Sequence, residues 1–277
     1  MLSAEIEALI DSALREDVPA GDVTSESLIP SSSMSRAVLL AKESGRLAGI
    51  EVAARVFRKA GAPVSFVIRI PDGRDFRKGD VLADVRGRSR VLLKAERTAL
   101  NFLQRLSGIA TLTQAYVAAV RGTGAKILDT RKTTPGWRAL EKYAVRMGGG
   151  ENHRLSLSDM ALIKDNHLQV AGGVAEAVRR VRRRIGPKMR IEVEATNFAS
   201  AREAVEAGAD MILLDNMPPA ALRRVASWVD GRVPLEASGG VTLRRVRRIA
   251  ASGMDYISVG ALTHSAPAID ISLEFES

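Results

Sequence analysis

The sequence predicts an α/β fold, namely an incomplete six-unit α/β barrel preceded by an α+β N-terminal domain. Two observations lead to this prediction. From about residue 125 onward, short apolar strands alternate with amphipathic helical segments, and such repeats imply parallel strands joined by right-handed crossovers. Polar residues gather at the carboxyl end of each predicted strand, which is the face that carries the chemistry of α/β barrels. An open doubly wound sheet, which also binds ligands at that edge, is the alternative architecture.

The first 110 residues lack this regular alternation. Their apolar patterns and turn residues predict helices at 4–16, 50–60 and 89–106, strands at 35–45, 64–70 and 80–87, and a turn-rich segment at 18–33. Such a mixture predicts an α+β domain over residues 1–110. We expect residues 266–277 to pack back on it, so that the barrel occupies 111–265.

Six strand-like segments follow in the second region. They lie at 126–130, 160–164, 190–194, 211–215, 233–238 and 256–260. The clearest helical segments between them lie at 172–186, 197–209, 218–229 and 242–253. Short, mostly apolar strands are typical of a sheet covered by helices. Because six units are visible where a standard barrel has eight, the sequence predicts a six-unit variant.

Composition excludes some kinds of chemistry. The chain has 277 residues, of which 46% are apolar and none is cysteine. A disulfide framework, a thiolate metal site and a cysteine nucleophile are therefore excluded. This usage is typical of a cytoplasmic protein, which is the location we expect. No run approaches the roughly 18 uncharged apolar residues needed to cross a membrane, so no membrane partner is expected.

The chain is basic, with a formal net charge of +9 and a pI of about 10.2. Its densest basic runs, 179–184 and 244–248, keep Val or Ile at helical spacing, which describes amphipathic helices with basic outer faces. A cationic pocket for an anionic small substrate also fits this charge. Nucleic acid is a third interpretation, but aromatic residues are only 4% of the chain and provide no stacking platforms, so no nucleic-acid partner is expected.

Five cationic or potentially cationic side chains occur near predicted strand ends. Arg131 and Lys132 follow the first barrel strand, His153 and Arg154 precede the second, and Lys164 ends it. A lysine at the end of an apolar strand is rarely there for packing, because an unpaired ammonium is costly to bury. Arginine suits bidentate recognition of carboxylates. The group predicts a site for a multiply charged anion, with surface salt bridges as the alternative; Lys164 alone also suits a Schiff-base aldolase.

Two acidic residues end neighbouring barrel strands. Glu194 and Asp215 are expected to face the same mouth as the cations. Acids in this position hold ribose hydroxyls or Mg²⁺, or stabilise positive charge on a sugar ring. Neutralising the lysines is their alternative role. Glu192 lies two residues before Glu194, hence on the same strand face, and is a further candidate.

Glycine turns follow the final two strands. Residues 238–240 precede a helix predicted to begin near Val241, and Gly260 ends the last strand. Glycine permits close backbone approach and helix N-termini favour anions, so the two turns together predict a phosphate-binding site. A third glycine run, 148–150, is either a flexible connection that lets the following histidine and arginine reach the ligand, or a plain loop.

Several sequence blocks carry a resemblance to a known family. They are ERTALNFLQRLSGIAT, LDTRKTTPG, LEKYAV, GGGENHR, LIKDNH, EVE, LDN, EASGG and ISVGALTHS. No single block is specific, but their combination is highly so, and with GDVT at 21–24 and DISL at 270–273 it covers nearly the whole chain. On these blocks the sequence resembles the quinolinate phosphoribosyltransferases, also called nicotinate-nucleotide pyrophosphorylases (carboxylating).

The resemblance implies an N-terminal mixed domain, an incomplete α/β barrel and a homodimer or a higher assembly of dimers. The implied reaction joins quinolinate to phosphoribosyl pyrophosphate with decarboxylation. It yields nicotinate mononucleotide, pyrophosphate and CO2 in NAD biosynthesis, with Mg²⁺ as cofactor. In this reaction the pyridine nitrogen attacks the anomeric carbon, and the ribosylated ring then loses its 2-carboxylate.

The resemblance also assigns roles to the cationic residues. Arg131, His153 and Arg154 match positions that hold the carboxylates of quinolinate in the family. Lys132 and Lys164 match basic residues around the substrates, and Lys164 is near both of them.

Further roles follow from the remaining blocks. Glu194 and Asp215 match acids near the ribose and the metal, which they bind directly or through water. Arg97 matches an arginine that reaches the site of the neighbouring subunit, and Lys142 matches a lysine near the pyrophosphate. The phosphate-binding end is matched by Ser238, Gly239, Gly240, Gly260 and His264. The residues with an implied catalytic role are Lys132, Lys164, Glu194 and Asp215.

Two related activities are alternatives. One relative family is associated with molybdenum transport and shares this fold, and plain transfer to nicotinate without decarboxylation is the other. The intact NHR, LIKDNH and RKTTPG blocks favour quinolinate over both.

Overall fold

The structure is a computed structural model that describes residues 2–276 of the chain. These residues form two compact units. The first unit comprises the residues up to 114, residues 134–149 and the residues from 265 onward. The second comprises residues 115–133 and 150–264. The sequence predicted one continuous barrel segment, 111–265. In the structure the second unit consists of two segments.

The elements are numbered in chain order. Up to the long helix they are α1 (Ala4–Asp17), α2 (Val23–Leu28), β1 (Met34–Ala41), β2 (Gly45–Arg46), α3 (Ile50–Lys59), β3 (Ser65–Ile68), β4 (Asp75–Phe76), β5 (Val81–Arg88) and α4 (Ser89–Ala119). After it they are β6 (Lys126–Leu128), α5 (Arg138–Met147), β7 (Ala161–Ile163), α6 (Asp165–Ala171), α7 (Val174–Ile185), β8 (Ile191–Ala195), α8 (Phe198–Glu206), β9 (Met211–Asp215), α9 (Pro219–Val229), β10 (Leu235–Ser238), α10 (Leu243–Ala250), β11 (Tyr256–Ser258), α11 (Ala261–His264) and β12 (Ile271–Phe275).

Two predictions for the first 110 residues were wrong in extent. The segment predicted as turns contains the helix α2, because the side chain of Asp22 caps it and accepts the Ser25 backbone N–H at 3.0 Å. Helix α4 continues to Ala119 instead of ending near residue 106. Gly108 interrupts the apolar pattern of this helix. In the structure the carbonyl oxygen of Pro267 packs against Gly108, and a Cβ atom at residue 108 would overlap that oxygen.

The first unit is built on an antiparallel sheet. Its strands lie in the order β12-β1-β5-β3, and β12 pairs with β1 so that Leu39 is opposite Leu273. Both leucines are buried, and the end of the chain is therefore part of this unit's core.

Residues 134–149 belong to the first unit because their side chains are bonded there. The ring of Trp137 stacks on Phe102 of α4 with centroids 4.6 Å apart. The fully buried carboxylate of Glu141 accepts a hydrogen bond from Arg105 at 3.1 Å and two from Thr134 at 2.9 and 3.1 Å. Burying a carboxylate requires such partners, so this segment is held by polar as well as apolar contacts.

The second unit is an incomplete α/β barrel, as predicted. Its six strands are parallel and lie in the order β6-β11-β10-β9-β8-β7. Each strand from β7 to β11 neighbours the next along the chain, and β11 pairs with β6, the first of the set. Such a consecutive order lacks the reversal of a doubly wound sheet. The opening of the barrel lies between β6 and β7.

Helices cover the outside of this sheet and present basic faces to solvent. In α7, Val174, Ala177 and Val178 are buried, whereas Arg179 and Arg180 are exposed and pair with Glu176. The prediction that the basic runs form amphipathic helices is confirmed. None of the helices in residues 2–276 combines the length and the apolar content needed to span a membrane.

Candidate active site

The carboxyl ends of the barrel strands surround a cavity of about 760 Å³ in the second unit. This volume falls in the range of small-molecule sites. The residues predicted from the sequence that line it are Arg131, Lys132, His153, Arg154, Lys164, Glu194, Asp215, Ser238, Gly239, Gly240, Gly260 and His264. Parallel strands bring these residues together because their carboxyl ends meet at one edge of the sheet.

Two guanidinium groups define one part of the cavity. Burial lowers the pKa of Arg154, and the nearby charge of Arg131 lowers it further. The Nε atom of Arg131 is buried and has no hydrogen-bond partner among the described residues. Two like charges at close range with an unsatisfied donor call for an anion, and a carboxylate suits the guanidinium fork.

An ion pair crosses two neighbouring strands. Lys164 follows β7, and its Nζ donates to Glu194 Oε2 of β8 at 2.7 Å. The lysine side chain is 46% exposed and the glutamate 12%. Asp215, at the end of β9, accepts a hydrogen bond from the side chain of Asn216 at 2.8 Å. The cavity therefore carries both signs of charge, with carboxylates able to meet hydroxyls or a cation.

A buried cluster lies beside the arginines. His153 Nε2 is 3.1 Å from Glu192 Oε2 and 3.4 Å from Glu236 Oε2, and both glutamates are fully buried. Burial alone would lower the pKa of His153, but the close contacts and charges of the two glutamates raise it to about 9. Burial raises the pKa of Glu192, which Glu236 raises further by its charge. The sequence indicated Glu192 as a further candidate beside Glu194. It missed the contact of Glu236 with His153, for which the only signal in the sequence is an acidic residue inside an apolar strand.

The loop that carries His153 is held by another buried acid. Asp129, at the end of β6, accepts the backbone N–H of His153 at 2.9 Å and a hydrogen bond from Asn152. The backbone N–H of Arg154 donates to His153 Nδ1 at 2.8 Å. These bonds fix the orientation of the ring and place Nε2 on the side of the two glutamates.

The glycine turn after β10 is shaped by Asn216. At Gly239 the φ angle is +87°, and a Cβ there would overlap both the side-chain oxygen and the backbone nitrogen of Asn216. Asn216 itself has a positive φ of 55° and donates its backbone N–H to Ser238. Helix α10 begins at Leu243 after the cap residue Thr242, two residues later than the predicted start near Val241. The turn lines the cavity.

The second glycine turn lies against the first basic segment. A Cβ at Gly260 would come within 3.2 Å of both His264 and the side chain of Lys132. Thr263 Oγ1 donates to the Lys132 carbonyl at 2.8 Å. These contacts bring the last strand of the barrel to the loop after its first strand.

Two predicted site residues lie in the first unit and do not line this cavity. Arg97 is exposed on α4, and Lys142 on α5 is 1% exposed. Gly148 also belongs to this unit. A Cβ there would come within 2.5 Å of the Ala110 carbonyl and of Thr113, so the structure gives this glycine a packing role.

Fold and cavity together define the class of protein: an α/β barrel with a small-molecule cavity at the carboxyl ends of its strands, lined by cationic and acidic side chains. The comparisons with known proteins give the family. Residues 22–107 match the description "Quinolinate phosphoribosyl transferase, N-terminal domain" and residues 109–274 match the corresponding C-terminal domain. The chain belongs to the quinolinate phosphoribosyltransferase family.

Individual relatives agree with this assignment. A Bacillus subtilis protein described as a probable nicotinate-nucleotide pyrophosphorylase [carboxylating] is 42% identical over 98% of this chain and 93% of its own length. A Homo sapiens protein described as nicotinate-nucleotide pyrophosphorylase [carboxylating] is 41% identical over 96% of this chain and 90% of its own. The crystal structure of NadC from Streptococcus pyogenes covers 100% of this chain and 99% of its own, with a TM-score of 0.95 and 40% identity.

Proposed function

We propose that the protein transfers the phosphoribosyl group of phosphoribosyl pyrophosphate to quinolinate, with loss of CO2, in NAD biosynthesis. The observation that carries this proposal is the paired arginines Arg131 and Arg154 in one cavity with the glycine turns after β10 and β11. A pyridine dicarboxylate needs the arginine pair, and a ribose phosphate needs the glycine turns. Membership of the quinolinate phosphoribosyltransferase family supports binding of both substrates in this cavity.

Quinolinate binding follows from the charge of the site. Arg131 and Arg154 offer planar donors to two adjacent carboxylates, and a bidentate contact fixes the plane of the ring as well as its position. Fixing both reactants in one cavity removes much of the entropic barrier to attack by the pyridine nitrogen.

Transfer of the ribosyl group develops positive charge on the sugar and negative charge on the departing pyrophosphate. Glu194 and Asp215 stabilise the first, because both carboxylates line the cavity from neighbouring strands. Lys132 and Lys164 stabilise the second. Ser238, Gly239, Gly240, Gly260 and His264 hold the phosphate of the ribose. Once the ring nitrogen is cationic, loss of the 2-carboxylate needs no protein nucleophile.

The acids at the strand ends also fit Mg²⁺. This ion is usually held by one or two carboxylates together with substrate phosphates, which is the donor set that Glu194 and Asp215 provide at the mouth of the barrel. When bound, it supplies positive charge that favours the departure of pyrophosphate. Direct and water-mediated contacts are both consistent with these residues.

The proposal extends to a homodimer, or a higher assembly of dimers, in the cytoplasm. Arg97 is exposed on α4 and is proposed to reach the site of a neighbouring subunit. For Lys142 the support as a pyrophosphate-binding residue is the resemblance of its sequence block. The absence of cysteine is consistent with a reducing compartment.

A steady-state assay with parallel acceptors tests the proposal. Purified protein is given phosphoribosyl pyrophosphate and Mg²⁺ with either quinolinate or nicotinate. We expect nicotinate mononucleotide from quinolinate and a rate at least a hundredfold lower from nicotinate, because the second carboxylate partner of the arginines is missing. Equal rates with the two acceptors would replace the proposal by simple nicotinate transfer.

A further inference from the structure

The buried cluster beside the arginines places two carboxyl groups next to the proposed carboxylate-binding site. Glu192 comes from β8 and Glu236 from β10, and their side chains have no exposed surface. Glu192 Oε1 and both carboxylate oxygens of Glu236 have no hydrogen-bond partner among the described residues. Two buried carboxylates would repel a dianionic ligand unless a positive charge lies between them and that ligand.

His153 occupies the required position. Its ring lies within 3.4 Å of both glutamates, it lines the cavity, and its side chain is 8% exposed. Glu192 and Glu236 face it from the sheet. Arg154 and Arg131 lie beside the cluster, because Arg154 interacts with both Glu192 and Arg131. The imidazole therefore lies at the boundary between buried acids and the guanidinium groups that face the ligand.

Asp129 is a further charged residue at His153, but its carboxylate binds the backbone of His153 and not the ring. Asp129 accepts the His153 N–H, and its second oxygen accepts a hydrogen bond from Asn152, so it holds the loop. One contact opposes protonation: the Arg154 backbone N–H donates to His153 Nδ1 at 2.8 Å, and a proton on Nδ1 would set two donors against each other, so protonation requires the ring or the loop to shift as well as the loss of that bond. A single neutral hydrogen bond is weaker than the attraction of two buried carboxylates for an imidazolium. The carboxylates therefore determine the charge.

We infer that Glu192 and Glu236 are positioning residues that hold His153 as an imidazolium, so that three positive charges, those of Arg131, His153 and Arg154, face the dicarboxylate. The inference rests on the proposed function only for the identity of that ligand. The glutamates act through the histidine, because neither side chain has exposed surface, although Glu236 belongs to the lining of the cavity. Removing either one lowers the proton affinity of His153, and the ligand site then loses a charge at a pH where the unaltered protein keeps it.

Histidine NMR on the free protein tests the inference without any substrate. The chain has three histidines, so ring-carbon resonances are few, and His153→Gln identifies the one that matters. A chelator in the sample excludes a divalent cation, which the same three residues are close enough to hold. In the unaltered protein we expect the His153 resonance to titrate near pH 9, the value to which Glu192 and Glu236 raise its pKa. A midpoint in the ordinary range near 6.5 overturns the inference.

Matched variants separate charge from structure. Glu236→Gln and Glu192→Gln keep the shape of each side chain, and each is expected to lower the proton affinity of His153 at least tenfold. Glu203→Gln, an exposed residue of α8, is the control and leaves the titration unchanged. A His153 titration that is the same in all three variants contradicts the inference. If Glu192→Gln or Glu236→Gln does not fold, the His153 titration of the unaltered protein still tests the inference, because a midpoint near 6.5 overturns it.

Enzyme kinetics gives the readout that a purely structural role would not move. Because the protonated ring attracts the dianion, kcat/KM for quinolinate falls as pH rises through the His153 pKa. In Glu236→Gln this fall is expected at a pH at least one unit lower, with the KM for phosphoribosyl pyrophosphate unchanged. A loss of the same size at every pH indicates a structural role and contradicts the inference. Absence of any activity in the unaltered protein rejects the proposed function, whereas the NMR result is unaffected.

Discussion

At the scale of single residues, the arginine pair restricts the ligand most. The described structure leaves Arg131 Nε buried without a partner, and the charge of Arg131 combines with burial to lower the pKa of Arg154. A site with these properties is unfavourable until an anion enters, and a planar carboxylate meets a guanidinium through two parallel hydrogen bonds. Among the described residues no acid is bonded to Arg131 Nε, so this donor remains for a ligand.

Replacing Arg131 with Ala tests this role. We expect the KM for quinolinate to rise by about one to two orders of magnitude, since one buried charge-assisted contact is lost, whereas the KM for phosphoribosyl pyrophosphate changes little. Steady-state kinetics with each substrate varied in turn measures both constants. The control is Arg223→Ala, which removes an exposed arginine of α9. An unchanged KM for quinolinate would mean that Arg131 does not contact it.

At the scale of elements, strands and turns create the site. A polar residue lies at or next to the carboxyl end of each barrel strand, and the parallel arrangement brings these residues to one edge. The turn at 238–240 depends on a left-handed glycine whose Cβ position is filled by Asn216. Glycine is therefore required at this position by the close approach of Asn216, and the turn lines the cavity.

Substituting Gly239 by Ala tests the turn. Gly208→Ala is a matched control, because its φ of +84° is close to the +87° of Gly239 but no atom lies within 4 Å of its Cβ position. Both changes carry the left-handed strain of about 1–2 kcal/mol. Gly239→Ala should cost about 1–3 kcal/mol more through overlap with Asn216, and should weaken phosphoribosyl pyrophosphate binding at least tenfold. Urea unfolding and calorimetric titration measure the two effects; equal stabilities of the two variants would contradict the close packing.

Sequence patterns predicted most elements because local physics determines them. The barrel strands alternate with helices whose apolar spacing is regular, and the resemblance of short blocks located the residues that line the cavity. Helix α2 was missed because its six residues depend on the Asp22 cap and lie in a segment rich in turn formers. Glu236 was missed as a partner of His153 because their contact joins residues far apart in the chain, and no periodicity reports it.

At the scale of the whole molecule, each of the two units is built from segments that are separate in the sequence. It leaves the barrel after β6, forms α5 in the first unit and returns before β7. The pattern of strands and helices in the sequence could not predict that α5 belongs to the first unit, because α5 is amphipathic whichever unit it joins. Its membership is determined by long-range contacts such as that of Glu141 with Arg105. Arg97, also in the first unit, is proposed to act in a neighbouring subunit.

Mixing two inactive variants tests a shared site. Arg97→Ala and Glu194→Gln each remove one residue, and in a dimer with shared sites a mixed pair contains one intact site. If subunits exchange freely, half of the dimers are mixed, so about a quarter of the unaltered activity should return. Activity after joint refolding measures it, with each variant refolded alone as the control. No recovery, with mixed dimers shown to be present, would place Arg97 outside the neighbouring site.

The measurement that tests the central claim most directly is product stoichiometry. Quinolinate labelled in its 2-carboxylate is incubated with the protein, phosphoribosyl pyrophosphate and Mg²⁺, and released CO2 and nicotinate mononucleotide are counted together. The account predicts one labelled CO2 for each mononucleotide, and neither product when phosphoribosyl pyrophosphate is omitted. Mononucleotide without labelled CO2, or no product from the folded protein with both substrates present, would contradict it.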